Sequence, residues 1–222
     1  MTGARGADEA PGSDPPPTIS RFVVLGDSFT AGTGCAPGER WADRVAEALR
    51  AVHGPLEYHN LAVDGATSAA VLEQVERATR LEPDLAIVIC GANDVLFTRR
   101  PDTDGYRVRL GSAFSRLREA MPGIAILTST SPESWRFLAL GRRTAARLAD
   151  GLRRFNEATR QVAAAHGVPC LDVARHDGLA DPANFLPDGL HPSPAGHEGA
   201  AREIAAALRA QLGIESALAR CT

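Results

Sequence analysis

Aromatic residues are scarce in this chain, at 5% of 222 residues, and there are only two methionines. Net charge is small, −3 at neutral pH. The chain therefore carries no basic field to attract nucleic acid. No apolar run approaches the ~20 residues that a membrane span requires. The four cysteines, Cys35, Cys90, Cys170 and Cys221, never stand two residues apart. That argues against zinc and thioredoxin-like chemistry. No His or Glu pair has ligand spacing, so no metal or other cofactor is expected. Neither Gly-x-Gly-x-x-Gly nor the phosphate-loop pattern occurs, which sets aside a nucleotide loop built on Gly26, Gly32 and Gly34.

Residues 1–20 are rich in Gly, Ala, Asp and Pro, with a Pro15-Pro16-Pro17 run. This composition buries too little surface to order itself, so a disordered tail is expected. The stretch has no apolar core of a secretory signal, which predicts a cytoplasmic protein without stable membrane association. The rest reads as one domain over 21–213, followed by a short tail, 214–222. That length is enough to bury one substantial core.

Apolar runs alternate with stretches of helical period. Strands are predicted at Arg21–Gly26, Leu56–Ala62, Leu85–Cys90, Ile124–Thr128 and Val168–Val173. Leu85–Cys90 is apolar throughout, as in a strand covered on both faces. Helical stripes follow each strand, beginning with Trp41, Val45, Leu49 and Val52. Ser68 is expected to cap the helix that follows the second strand. In the last helix Ser193 is the N-cap, Pro194 the first residue and Gly213 the stop signal. Five strand–helix alternations predict an α/β fold, a five-stranded parallel sheet with helices on both faces. In such sheets the site lies at the carboxyl ends of the strands.

Four short blocks fall where that rule places chemistry. Gly26-Asp27-Ser28 follows the first strand and offers a hydroxyl nucleophile. A serine needs a base at neutral pH. Of six histidines, only His191 has an acid three residues before it, Asp188. Asp188 can fix the ring tautomer and stabilise the imidazolium. The Ser28 N–H, the Gly65 N–H and the Asn93 amide are candidate donors for an oxyanion hole. Taken singly, Asp188 also fits a turn cap, Gly65 a turn glycine and Asn93 a loop cap. His197 reads as structural, and Asp27 reads as holding the turn.

Gly26-Asp27-Ser28 with Gly32, Asp64-Gly65-Ala66-Thr67-Ser68, Gly91-Ala92-Asn93-Asp94 and Asp188-Gly189-Leu190-His191-Pro192 together resemble the SGNH hydrolase superfamily, or GDSL esterases/lipases. The resemblance spans Arg21 to Leu212. It implies a flavodoxin-like three-layer α/β/α sandwich. It also implies Ser28 as nucleophile, His191 as base, Asp188 as its partner, and Ser28, Gly65 and Asn93 as the oxyanion hole. The activity implied is a serine esterase working through an acyl-enzyme on a small acyl ester. Acyl transfer, thioester cleavage or sugar deacetylation use the same triad, and a catalytically silent binding protein is the reading from another class.

For the substrate pocket, Phe29, Leu96 and Phe97 are candidates beside the nucleophile and Asn93. Trp135, Phe137, Leu138 and Leu140 are candidates for an acyl wall or lid. Arg99, Arg100, Arg136, Arg142 and Arg143 add positive charge near the same edge. Cys35, in the loop beyond Ser28, is placed near the site.

Overall fold

The computed structural model describes residues 18–133 and 137–218. Trp135 and Arg136, Cys221 and most of the two tails therefore lie outside the described residues. The described chain forms β1 (Arg21–Gly26), α1 (Ser28–Ala31), α2 (Trp41–His53), β2 (Glu57–Asn60), α3 (Ser68–Thr79), β3 (Leu85–Ile89), α4 (Ala92–Leu96), α5 (Thr103–Ala120), β4 (Ala125–Ser129), α6 (Arg142–Ala165), β5 (Cys170–Leu171) and α7 (Pro194–Leu212). Two 3₁₀ turns, Asp177–Ala180 and Pro182–Asn184, lie between β5 and α7.

Among the described residues the strands form one parallel sheet in the order β2-β1-β3-β4-β5. This is the doubly wound, flavodoxin-like order, whose chain reverses direction across the sheet beside β1. Alternation along the strands divides the core. Val23, Leu25, Ala86 and Val88 face a layer built by α3, α5 and α6, with Val75, Phe114, Leu117 and Phe155. Phe22, Val24, Leu85 and Ile87 face the other layer, with Trp41, Val45, Leu49 and Leu208 from α2 and α7. Both faces of the central strands are thus buried, which explains their unbroken apolar runs.

The strands at the sheet margins are shorter than the apolar patterns suggest. β2 ends at Asn60, although the Leu61 N–H still reaches the Val24 carbonyl at 2.9 Å and the Val63 N–H the Gly26 carbonyl at 3.2 Å. Asn60 accepts from the Ala62 N–H at 3.1 Å and donates to the Thr30 carbonyl at 2.8 Å. β5 has only two residues. Beyond it the Val173 and Ala174 N–H groups turn to the Thr130 hydroxyl, at 2.9 and 3.1 Å. A side chain there replaces the next rung of the ladder. Among the described residues no helix is long and apolar enough to cross a membrane.

Candidate active site

Every candidate block leaves the sheet at its carboxyl edge. β1 runs straight into Gly26, where a Cβ would lie 2.6 Å from the Ile89 carbonyl oxygen, so only glycine fits. The Gly26 N–H and carbonyl both bond the side-chain amide of Gln74 on α3 at 2.9 Å, and the carbonyl also accepts from the Val63 N–H at 3.2 Å. Asp27 then caps α1, accepting from the Phe29 N–H at 3.1 Å. Its role as the holder of the turn agrees with the sequence expectation. Ser28 is the first residue of α1, so its N–H has no acceptor within the helix. Gly32 ends the helix with φ +75°.

The Asp188–His191 turn projects toward the same place. Asp188 Oδ2 lies 2.7 Å from His191 Nδ1, and Asp188 Oδ1 accepts from the Leu190 and His191 N–H groups at 2.9 and 3.0 Å. Partial burial pulls the Asp188 carboxyl upward, but the His191 ring and the two amides outweigh it and hold it below the usual carboxylate range. Asp188 is therefore both turn cap and histidine partner; the two readings of its spacing are compatible. Gly189 supplies φ +68° in this turn.

Gly65 adopts φ +74°, a backbone shape that L side chains rarely take. Asn93, in the first turn of α4, is buried and donates one amide hydrogen to the Ala66 carbonyl at 3.1 Å. A cavity of about 280 Å³ brings Ser28, Gly65, Asn93 and His191 together on its wall. The Ser28 hydroxyl makes no hydrogen bond to His191 among the described residues. Such contacts commonly tighten only around substrate.

Phe29, Leu96 and Phe97 also line this cavity. Phe29 additionally stacks on Trp41 and on the His197 ring, so it serves the core as well. The other pocket candidates fare differently. Phe137 is not on the cavity wall; it packs against Phe185, with ring centroids 5.0 Å apart, and over Gly189. An aromatic near a site is drawn to whichever apolar partner is nearest, and here that is the turn bearing Asp188. Leu138 and Leu140 join the α6-side core. Arg99, Arg100, Arg142 and Arg143 are exposed and absent from the cavity wall. Cys35 is buried behind the site, its thiol 3.6 Å from the Pro192 carbonyl oxygen.

Two further residues bond elements around the site to one another. Asp94 sits one residue after Asn93 and accepts from the Ser68 N–H at 2.8 Å and hydroxyl at 2.6 Å. Ser68 is thus the first residue of α3 rather than its cap, because Asp94 of α4 already satisfies its amide. His197 is fully buried, its Nδ1 accepting from the Trp41 N–H at 3.3 Å. Burial, with the nearby Arg40 and Arg44 charges, pushes it down to about 4. It stays neutral and structural, as the sequence suggested.

A sequence model of the GDSL-like lipase/acylhydrolase family matches residues 24–198. The chain belongs to this family. All four blocks fall inside that match. Among curated proteins none matches the sequence. Solved structures of similar fold include TesA, with TM-score 0.71 and 20% identity over 87% of this chain and 100% of the other. The lipase/acylhydrolase from Enterococcus faecalis has TM-score 0.69 and 23% identity, over 88% and 98% of the two chains. The psychrotrophic esterase EstA from Pseudoalteromonas sp., in a structure inhibited by monoethylphosphonate, has TM-score 0.70 and 17% identity, over 87% and 99%. At these identities the likeness is one of fold.

Proposed function

We propose that this GDSL hydrolase is a serine esterase that cleaves carboxylic esters through an acyl-enzyme. The observation that carries the reading is that Ser28, the Asp188-paired His191, Gly65 and Asn93 line one cavity. With Nδ1 held by Asp188, the neutral ring presents Nε2 as the proton acceptor. Ser28 Oγ attacks the ester carbonyl while His191 takes its proton. The oxyanion that forms is met by the Ser28 and Gly65 N–H groups and the Asn93 amide. His191 then gives its proton to the leaving alcohol. Water repeats the sequence on the acyl-enzyme, releasing the acid and restoring Ser28.

The test is covalent labelling with a fluorophosphonate probe. One mole of probe should attach at Ser28, and Ser28→Ala should abolish labelling and ester turnover while the circular dichroism spectrum is kept. Labelling that survives in Ser28→Ala moves the nucleophile elsewhere. A wild-type protein that neither labels nor turns over esters would be a binding protein on this fold.

A further inference from the structure

β1 delivers Ser28 and the turn before α7 delivers His191, so contacts between these two segments set the distance between the side chains. α1 is only four residues long and cannot hold itself in place. The residue after Ser28 supplies its anchor. The Phe29 ring stacks on Trp41 of α2, with centroids 5.9 Å apart, and on the His197 ring of α7 at 5.8 Å. The Phe29 carbonyl accepts from Trp41 Nε1–H at 3.2 Å. The Trp41 N–H, first of α2 and without an acceptor in its own helix, donates to His197 Nδ1 at 3.3 Å.

His197 in turn belongs to the segment that bears the base. Its N–H donates to the Ser193 carbonyl at 2.9 Å, in the first turn of α7. Ser193 stands two residues after His191. Its own N–H and hydroxyl are tied to the Asn184 carbonyl at 2.9 Å and the Ala183 carbonyl at 2.6 Å. One imidazole thus touches the anchor of the nucleophile and stands on the stem of the base. A weaker link runs beside it, the Cys35 thiol at 3.6 Å from the Pro192 carbonyl oxygen. With Nδ1 accepting, the His197 ring proton lies on Nε2, and among the described residues Nε2 is buried without a partner. A buried donor left unmade is costly. Leucine or phenylalanine would fill the space without that cost, so packing alone does not account for the ring. The Nδ1 acceptor for Trp41 does.

We infer that His197 is a positioning residue, which fixes the distance between Ser28 and His191 by binding Phe29 and Trp41 to the first turn of α7. Ser28, Phe29 and His191 line the cavity and His197 does not, so it acts through them. No hydrogen bond joins the Ser28 hydroxyl to His191 among the described residues, so their approach is set by the backbones that carry them. A misplacement of about 1 Å at a reacting pair costs on the order of 10²-fold in rate. Losing the acceptor and the stack releases α1 from α7. The loss then falls on kcat, while the cavity walls that hold an ester remain. The catalytic readout rests on the esterase reading, but the chain of contacts does not.

The experiment compares wild type, His197→Leu and His197→Asn by kcat and KM on a soluble ester, by the rate of fluorophosphonate labelling and by amide NMR shifts. Circular dichroism checks that each is folded. Leucine removes both stack and acceptor. Asparagine carries an oxygen where Nδ1 stands and restores the acceptor alone. His197→Leu should lower kcat and the labelling rate by about 10²-fold, with KM within about twofold of wild type. His197→Asn should recover at least about tenfold of that loss. The Ser28 and His191 amide signals should both move in His197→Leu and return toward wild type in His197→Asn. If His197→Leu does not fold, His197→Phe, which keeps a ring and lacks the acceptor, takes its place. A folded His197→Leu with wild-type kcat, or a His197→Asn no faster than His197→Leu, overturns the positioning role and leaves His197 as core packing. If wild type takes no label and cleaves no ester, the esterase reading falls and the amide signals decide alone. Movement at both Ser28 and His191 then keeps the positioning role, and anything less overturns it.

Discussion

One amide hydrogen of Asn93 is committed to the Ala66 carbonyl, and that bond fixes the side chain of a residue on the cavity wall. The donor is therefore pre-oriented before any charge develops, which is what makes such a donor effective. Asn93→Ala should lower kcat by roughly 10²–10³ with little change in KM. Steady-state kinetics on a soluble ester decide it; a large rise in KM at constant kcat would make Asn93 a substrate-binding residue instead. Nothing in a Gly-Ala-Asn-Asp string reveals the Ala66 bond. The residue type was legible in the sequence, but its tether was not, because the partner is a backbone atom from a different loop. Phe137 shows the converse. Its position after β4 was legible, but its partner Phe185 comes from the far side of the β5–α7 connection.

Short elements escape a periodicity reading, and here they carry Ser28 and Asn93. α1 and α4 have four and five residues, less than two turns, so neither can show an apolar stripe. The long elements were legible from their stripes and caps. Ser193 caps α7 as its sequence indicated, accepting from the Gly196 N–H at 3.3 Å and donating to the Ala183 carbonyl at 2.6 Å. The brace between α3 and α4 was not legible. Asp94 takes two bonds from Ser68 and pairs with Arg109 of α5 at 3.5 Å, while Arg109 also donates to the Ser68 hydroxyl at 2.8 Å. Three helices thus meet at one carboxylate. Asp94→Ala leaves the Ser68 N–H without its acceptor and removes the more buried of the two carboxylates paired with Arg109, so urea unfolding should show a loss of about 2–4 kcal/mol. Asp94→Asn keeps one acceptor and should lose less. If both unfold at the wild-type midpoint, the brace carries no stability.

For the molecule as a whole, two buried groups make opposite demands on pH. Burial pushes Asp27 up to about 6, against the pull of the Phe29 N–H and the His191 charge. The native state then holds a proton that the unfolded state releases near ~3.9, so Asp27 costs stability as pH rises from about 4 to about 6. His197, pushed down to about 4, does the reverse. Unfolded, it binds a proton near ~6.5, so its contribution is lost as pH falls through the same window. Each effect is on the order of 3 kcal/mol, and they nearly cancel. Wild-type stability should therefore change little between pH 4 and 6 from this pair. Asp27→Asn, which can keep the cap on Phe29, should be more stable at pH 7 and fall steeply on acidification. Denaturant midpoints across that range check it; parallel curves for the two proteins would mean that Asp27 does not hold its proton.

The topology has a consequence for synthesis. Ser28 and His191 stand near opposite ends of the matched segment, and α7, which lines part of the cavity, packs on α2. Ser28 and His191 meet only across a long closed loop, whose entropy must be offset by docking of α7. A nascent chain with β1 to β4 already paired would expose the α2 face of its sheet and hold Ser28 without a base. If the proposed mechanism holds, a chain in which α7 has not docked has a nucleophile but no turnover, and refolding monitored by ester hydrolysis should lag behind refolding monitored by the sheet.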